Sequence, residues 1–575
     1  MTHHSPLRST APRTIAGLDL RSAWLILVAC AALSMVVAAM AALNTALTDI
    51  AIDIGTTSNE MTWIVDGYTL ALAALLLPAG AIGDRFGRRG ILLVGLAVFA
   101  IASLVTVWIS DPTELIIARI VAGAGAALIM PATLSLITAG VPADKRAIGV
   151  SIWAAVAGAG AIAGLLLTGV LLEFFSWRSV FVTFAASAAL VLILSVTIGT
   201  SRDRDPGAFD VAGSATSMLA VTGLVLGLLE APHRGWADPL VLGCLVGGAV
   251  LLVVFCVLER RRTSPLLDIT MFANRAFGAG ALSVTMQFFA SFGTFYLMLQ
   301  HFQLVFGYSP LQSAIAIGPL IGGVGFFALF GNWVAVRYDS LRFVLGGGIM
   351  IAGLGILLLG VIDYETYWGL VWILGICAVG IGLNTAPSTT AIMANTPIDN
   401  QGVGSAVNDT ARELGAAIGI ALAGSIMAAG YSTQIAPVAD SAREQLTAAG
   451  QQRIAAGDPV SGQALTTQAD TVADHIGRSL AEATAVADRI ADQAPSLAAQ
   501  ITRGAQEAFI GPMSHAYIVL GSVLIASGLV LLWYAPRRVA AMSLDGGPSG
   551  HPDTDTDTDT DDTLPAASDE HAPPG

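Results

Sequence analysis

Four ionisable residues stand where a chain rarely tolerates them. Asp66 falls within Trp63-Ile64-Val65-Asp66-Gly67-Tyr68, and Asp409, Arg412 and Glu413 follow Asn408, all inside long apolar runs. A charge facing hydrocarbon is costly, so each acid is a functional candidate by default. A carboxyl partly withdrawn from water can take up and release protons in the working pH range, which makes each a candidate proton site. The ionised form also attracts cations, so a proton and a cationic solute would compete for one charge. On a helix, Asp409, Arg412 and Glu413 share a face at i, i+3 and i+4, and two acids with one arginine leave a net negative site. Two structural readings stand beside this one: Asp66 as an interface residue one turn inside the membrane, and the trio as a buried salt bridge.

The elements that must hold these residues are apolar helices. The chain of 575 residues is 55% hydrophobic and 12% charged, about half the charged share of a soluble protein. About fourteen runs are long enough to cross a ~30 Å hydrocarbon core: 23–47, 62–82, 90–109, 114–140, 147–172, 179–199, 211–230, 239–258, 276–303, 312–336, 342–362, 367–393, 403–429 and 509–534. The first run follows Arg8, Arg13 and Arg21, but it is too long for a signal peptide and reads as a membrane helix.

Counted alternately from an inside N-terminus, one side collects Arg8, Arg13, Arg21, Arg85, Arg88, Arg89, Lys145, Arg146, Arg202, Arg204, Arg260, Arg261, Arg262, Arg275, Arg337, Arg342, Arg537 and Arg538. The short loops on the other side hold only Arg178 and Arg234. That bias places both termini in the cytoplasm of a multi-pass plasma-membrane protein. The long outer segment 430–508 repeats Val472, Ile476, Leu480, Ala483 and Ile490 at near-helical spacing, so one or two amphipathic helices are expected there, against a solvated loop as the alternative.

Much of the net charge of −14 sits in Asp553, Asp555, Asp557, Asp559, Asp561 and Asp562, within a Thr-Asp repeat that reads as a disordered acidic tail over 539–575. No basic patch outside the short loops offers a nucleic-acid surface. Cys30, Cys244, Cys256 and Cys377 show no metal or disulfide spacing, so no metal is expected. No GxxxxGK[ST] phosphate loop, nucleophile elbow or zinc spacing is present, which argues against ATP drive in this chain and against an enzyme.

Between the second and third runs stands Gly80-Ala81-Ile82-Gly83-Asp84-Arg85-Phe86-Gly87-Arg88-Arg89, an acid among three arginines at a glycine-rich turn that suits a breakable charge network. This resembles the GxLaDRxGRkxxl loop of the major facilitator superfamily. Arg119-Ile120-Val121-Ala122-Gly123-Ala124-Gly125 is similar to that superfamily's RxxqGxGaa element, and Trp177-Arg178-Ser179-Val180-Phe181 to WRwiF. An arginine at the depth of Arg119 costs about 2.5–3.5 kcal/mol, so it requires a partner or a wet cavity unless it snorkels to the interface. With Trp63 to Tyr68, the match resembles the Qac-type fourteen-helix drug:proton antiporters over about residues 23–538.

The resemblance implies an all-α major-facilitator fold. It comprises a cytoplasmic segment 1–22, a six-helix bundle 23–200, an inserted hairpin 201–262, and a second six-helix bundle 263–538 carrying the long loop 430–508. Arg337-Tyr338-Asp339 through Arg342 partly echoes the first loop, as repeated halves would. It also implies an exporter of lipophilic, cationic compounds driven by the proton gradient with no cofactor, monomeric in the lipid bilayer. Acids at the positions of Asp66, Asp409 and Glu413 occur in such antiporters.

Asn44, Tyr68, Gln287, Phe292, Asn332 and Asn384 are cavity candidates, with core packing and interhelical hydrogen bonds as the plain alternatives. Two departures bear on coupling. The first-helix acid position is Ala39, and the helix-five element 160–169 carries Leu165 where its proline belongs. They favour a second reading, export of an endogenous lipid or amphiphile. A third is a membrane receptor or scaffold using 430–508 and the tail.

Overall fold

The computed structural model describes residues 14–537 apart from 16–17, 202–208, 365 and 493, and leaves undescribed some side chains, Asn44 among them. The acidic tail, Arg8, Arg13, Arg202, Arg204, Arg538 and most of the segment 1–22 therefore lie outside the described residues. Apart from a strand pair of Thr14–Ile15 with Leu18–Asp19, the described elements are helical. The first half runs α1 Leu20–Ile54, α2 Ser58–Phe86, α3 Arg88–Val105, α4 Pro112–Gly140, α5 Arg146–Phe174 and α6 Arg178–Ser195. The hairpin is α7 Val211–Arg234 with α8 Pro239–Glu259. The second half runs α9 Arg275–Gln300, α10 Pro310–Arg337, α11 Leu341–Val361, α12 Tyr367–Ala394, α13 Gln401–Ala455, α14 Pro459–Arg478, α15 Leu480–Ile490 and α16 Pro495–Tyr534. Among the described residues, fourteen helices are long and apolar enough to cross a membrane.

Helix starts follow local chemistry. Asp111-Pro112, Asp238-Pro239 and Asp458-Pro459 each place a carboxylate cap before a proline whose missing N–H costs nothing in a first turn. Thr57 with Glu60 and Ser309 with Gln312 close reciprocal capping boxes at α2 and α10.

Helices α1–α6 form one bundle, and α9–α13 with α16 form the other. The repeat shows at the arginines. Arg89, opening α3, donates to the Ile198 carbonyl beyond α6 at 2.9 Å, and Arg342, opening α11, donates to the Ala535 carbonyl beyond α16 at 2.9 Å. The bundles meet along two seams, α2 against α13 and α5 against α10. Helix α7 lies over the first seam, with Val221 and Val225 packed on Ala73, Leu70 and Leu414. Asp84 and Arg88 lie at the basic end of the molecule, opposite the far end.

The segment 430–508 is helical rather than a loop. Helix α13 continues to Ala455 and α16 begins at Pro495, so the two flanking spans project beyond the bundle, with α14 and α15 packed between them. The amphipathic pattern is cut at Ser479, which is extended and caps α15. Ile476, Leu480 and Ala483 are buried on either side of that break. The Tyr431 hydroxyl donates to the Ile476 carbonyl at 3.1 Å and ties α14 to α13.

Candidate functional site

At the basic end a carboxylate from one bundle caps a helix of the other. Asp84, in the last turn of α2, accepts the N–H groups of Gly402 at 2.8 Å and Val403 at 2.9 Å. These open α13, whose own cap residue Asn400 makes no side-chain cap bond, so Asp84 satisfies donors that would otherwise be orphaned. Arg88 pairs with Asp84 at 2.7 Å and donates onward to the carbonyls of Ile398 at 3.0 Å and Asp399 at 3.1 Å. The approach needs glycine: a Cβ on Gly402 would stand 2.5 Å from the Gly80 carbonyl oxygen and 2.6 Å from an Asp84 carboxylate oxygen. Gly87 makes the turn at φ +105°, where other residues are strained.

The three arginines do not share this network. Among the described contacts, Arg88 pairs with Asp84, Arg89 reaches the end of α6, and Arg85 lies over the Phe86 ring at 5.6 Å. Arg88 and Arg89, neighbours on α3, point about 100° apart, and the Gly87 turn separates both from Arg85 on α2.

Deeper in the seam, Asp409, Arg412 and Glu413 lie together on α13, all buried. Among the described residues, no carboxylate oxygen comes within ion-pair distance of the Arg412 guanidinium, which rests over the Trp153 ring at 4.5 Å and the Phe288 ring at 5.0 Å. Trp153 belongs to the first bundle and Phe288 to the second, so the cation bridges the halves by its faces. Asp409 Oδ2, Glu413 Oε2 and Arg412 Nε have no hydrogen-bond partner. Asp409 receives only the Asn408 amide at 3.1 Å. Burial without pairing is expensive for each of these groups.

Arg119 is a second buried arginine, set apart from the trio and packed on Tyr68. It is 3% exposed, so it does not snorkel; its Nε donates to the Ile64 carbonyl at 3.1 Å, and its guanidinium covers the Tyr68 ring at 4.2 Å while one terminal nitrogen stays unpartnered. Tyr68 lies within electrostatic reach of both Arg119 and Glu413, with its hydroxyl donating to the Val36 carbonyl at 3.2 Å.

Asp66 is not part of this group. Two residues from Tyr68, it points to nearly the opposite face of α2 and is half-buried toward α7, where Glu230 and His233 are its charged neighbours. Gln287 and Asn384 join α9 to α12: the Asn384 amide donates to Gln287 at 2.8 Å, Gln287 to Thr385 at 2.7 Å, and Ser283 to Asn384 at 2.6 Å. Phe292 stacks on Phe288 at 5.8 Å, and Asn332 on α10 is buried with an unpartnered oxygen.

Sequence reasoning missed Trp153, which nothing in its neighbourhood announces, and a second repeat. Val141-Pro142-Ala143-Asp144 to Gly149 and Thr396-Pro397-Ile398-Asp399 to Gly404 have matched spacing. Each folds into a 3-10 turn, with the prolines at φ −52°, ψ 145° and φ −54°, ψ 145°, and each leads into a long helix. It also missed that Asp53, on the far-end extension of α1, accepts from Arg178 at 2.6 Å and Trp177 at 3.0 Å, which gives the Trp-Arg pair its structural role.

Two repeated helical bundles closing on a buried, net-acidic cluster, with an inserted hairpin on one seam, define a multi-pass membrane transporter architecture. The Major Facilitator Superfamily pattern matches residues 27–420, and the chain belongs to that superfamily. The multidrug efflux pump LfrA of Mycolicibacterium smegmatis is 32% identical over 431 residues, covering 73% of this chain and 85% of LfrA. The multidrug resistance protein Stp of Mycobacterium tuberculosis is 30% identical over 396 residues, covering 68% of this chain and 74% of Stp. Among solved structures, the proton:xylose symporter XylE aligns with a TM-score of 0.52 at 13% identity, over 90% of this chain and 96% of XylE. A bacterial homologue of the lysosomal transporter Spinster aligns at 0.51 and 16% identity, over 90% of this chain and 99% of that one. At such identities these two speak to the fold alone.

Proposed function

We propose that the chain is a secondary exporter of lipophilic, cationic compounds, exchanging them for protons by alternating access, with the basic end facing the cytoplasm of the plasma membrane. The observation that carries this reading is the buried trio of Asp409, Arg412 and Glu413 at the seam between bundles, two carboxyls to one guanidinium with no ion pair among them. Such a site holds protons or a cation, not both. The relatives named above are multidrug efflux and resistance proteins, which supports a drug-like substrate. Each proton moving inward would add about 2.3 kcal/mol per 100 mV to the work available.

The test is dye efflux from proteoliposomes with an imposed pH gradient. Wild type should expel a cationic dye and release protons when substrate is added, and the double change Asp409→Asn with Glu413→Gln should lose both. Lipid movement with no dye-stimulated proton release would instead favour the amphiphile reading, which Ala39 and Leu165 suggest. Function that survives loss of all transport, but fails on removal of 459–494, would favour a receptor or scaffold.

A further inference from the structure

The two repeated 3-10 turns lead into helices that end up unequally satisfied. The first turn of α13 is capped by Asp84 from the opposite bundle. Its counterpart, the first turn of α5, has no side-chain cap and no acidic residue. In place of a carboxylate there is a cleft between the bundles, lined by Arg146 and Ala147 of α5, Thr138 of α4, Thr390 and Met393 of α12, and Gln401 of α13.

Three observations besides the helix end point to a ligand there. The Thr390 hydroxyl, on a side chain 7% exposed, has no hydrogen-bond partner. Gln401, 2% exposed, spends its amide nitrogen on the carbonyls of Met393, Thr396 and Pro397 and leaves its oxygen without a donor. Among the described residues, Arg146 donates from Nε alone, to the Val141 carbonyl at 3.0 Å.

We infer that this cleft binds an oxyanion that also carries a hydroxyl, of the phosphate class. Its charge would face Arg146 and the positive end of α5, an oxygen would accept from Thr390, and its hydroxyl would donate to Gln401. Hydrogen phosphate meets this description, and so do the phosphate and glycerol hydroxyls of an anionic lipid headgroup at the membrane surface. The ligand would do for α5 what Asp84 does for α13, holding the basic ends of the bundles together.

The test uses the full-length protein in detergent micelles, with inorganic phosphate titrated against chloride at matched ionic strength and unfolding followed by tryptophan fluorescence. Phosphate should raise the wild-type midpoint saturably. Arg146→Gln and Thr390→Val should each require about tenfold more phosphate for the same rise. Nanodiscs separate the sources. If phosphatidylglycerol raises the midpoint and abolishes the phosphate response seen in phosphatidylcholine, the headgroup is the ligand; if the response persists in both, free phosphate is. Should a variant fold poorly, spin labels at Phe86→Cys and Phe343→Cys in otherwise wild-type protein lacking native cysteines give a second readout: phosphate should shorten and narrow their separation. No phosphate response in wild type, or one equal in wild type and both variants, overturns the inference.

Discussion

Replacing Asp84 by asparagine separates the locking of the bundles from their folding. The carboxylate makes two kinds of contact: a pair with Arg88 one turn along the chain, and two bonds to the Gly402 and Val403 N–H groups of the other bundle. Only the second kind is broken when the basic end opens. A bond to a charged acceptor contributes about 1.5–3 kcal/mol and a neutral one about 0.5–1.5. Asparagine keeps one acceptor oxygen, so the closed state should lose about 2 kcal/mol relative to the open one. That is a change of about thirtyfold in the equilibrium between them.

Arg88, 1% exposed, would keep its bond to Ser201, beyond α6 of the first bundle, so the basic loop should stay folded. The assay is the distance distribution between spin labels at Phe86→Cys and Phe343→Cys, exposed residues on opposite bundles at the basic end, in a background without native cysteines. The variant should populate a long-distance component and turn over more slowly. A distribution identical to that of the parent, with unchanged transport, would refute the argument that Asp84 acts between the halves.

Gly402→Ala should leave expression intact but cut transport by about tenfold or more, since its Cβ collides with Gly80 and Asp84 only when the basic end closes. Efflux measured at matched protein levels decides this. Arg89→Ala and Arg342→Ala occupy equivalent places in the repeat, and each should lower stability by about 1–3 kcal/mol; a large loss for one alone, in thermal unfolding, would break the equivalence. At the far end, hydrogen bonds from Arg178 and then Trp177 hold the Asp53 carboxyl below the usual aspartate range. A lowered value means that stability is present above the ordinary range and lost as pH falls through the folded value. The difference in unfolding midpoint between wild type and Asp53→Asn should therefore be flat from about pH 5 to 8 and shrink below about pH 4. A difference that rises toward acid would reverse the assignment.

The fold was legible because the bilayer leaves few choices. Backbone groups in hydrocarbon must be satisfied within their own segment, so each apolar run of sufficient length becomes a helix. The spans, their number and the repeat could be read directly, and the loop centred on Asp84 announced the superfamily. The helices of 430–508 were half visible: periodicity marked α14 and α15, yet nothing local shows that α13 runs unbroken past Pro437 to Ala455. Packing against α14 and α16 holds that stretch helical despite the proline.

The site divides in the same way. Sequence alone determined which residues are costly in a membrane: Asp66, Arg119, Asp409, Arg412 and Glu413, each conspicuous by its desolvation. The tertiary structure decided their company. Asp66 turns to the hairpin, Arg119 covers Tyr68, and Arg412 settles between Trp153 and Phe288 instead of pairing with its neighbours on α13. Desolvation is a property of a residue and its segment, readable in one dimension. Pairing depends on distances between segments hundreds of residues apart, and those are set only when the bundles pack.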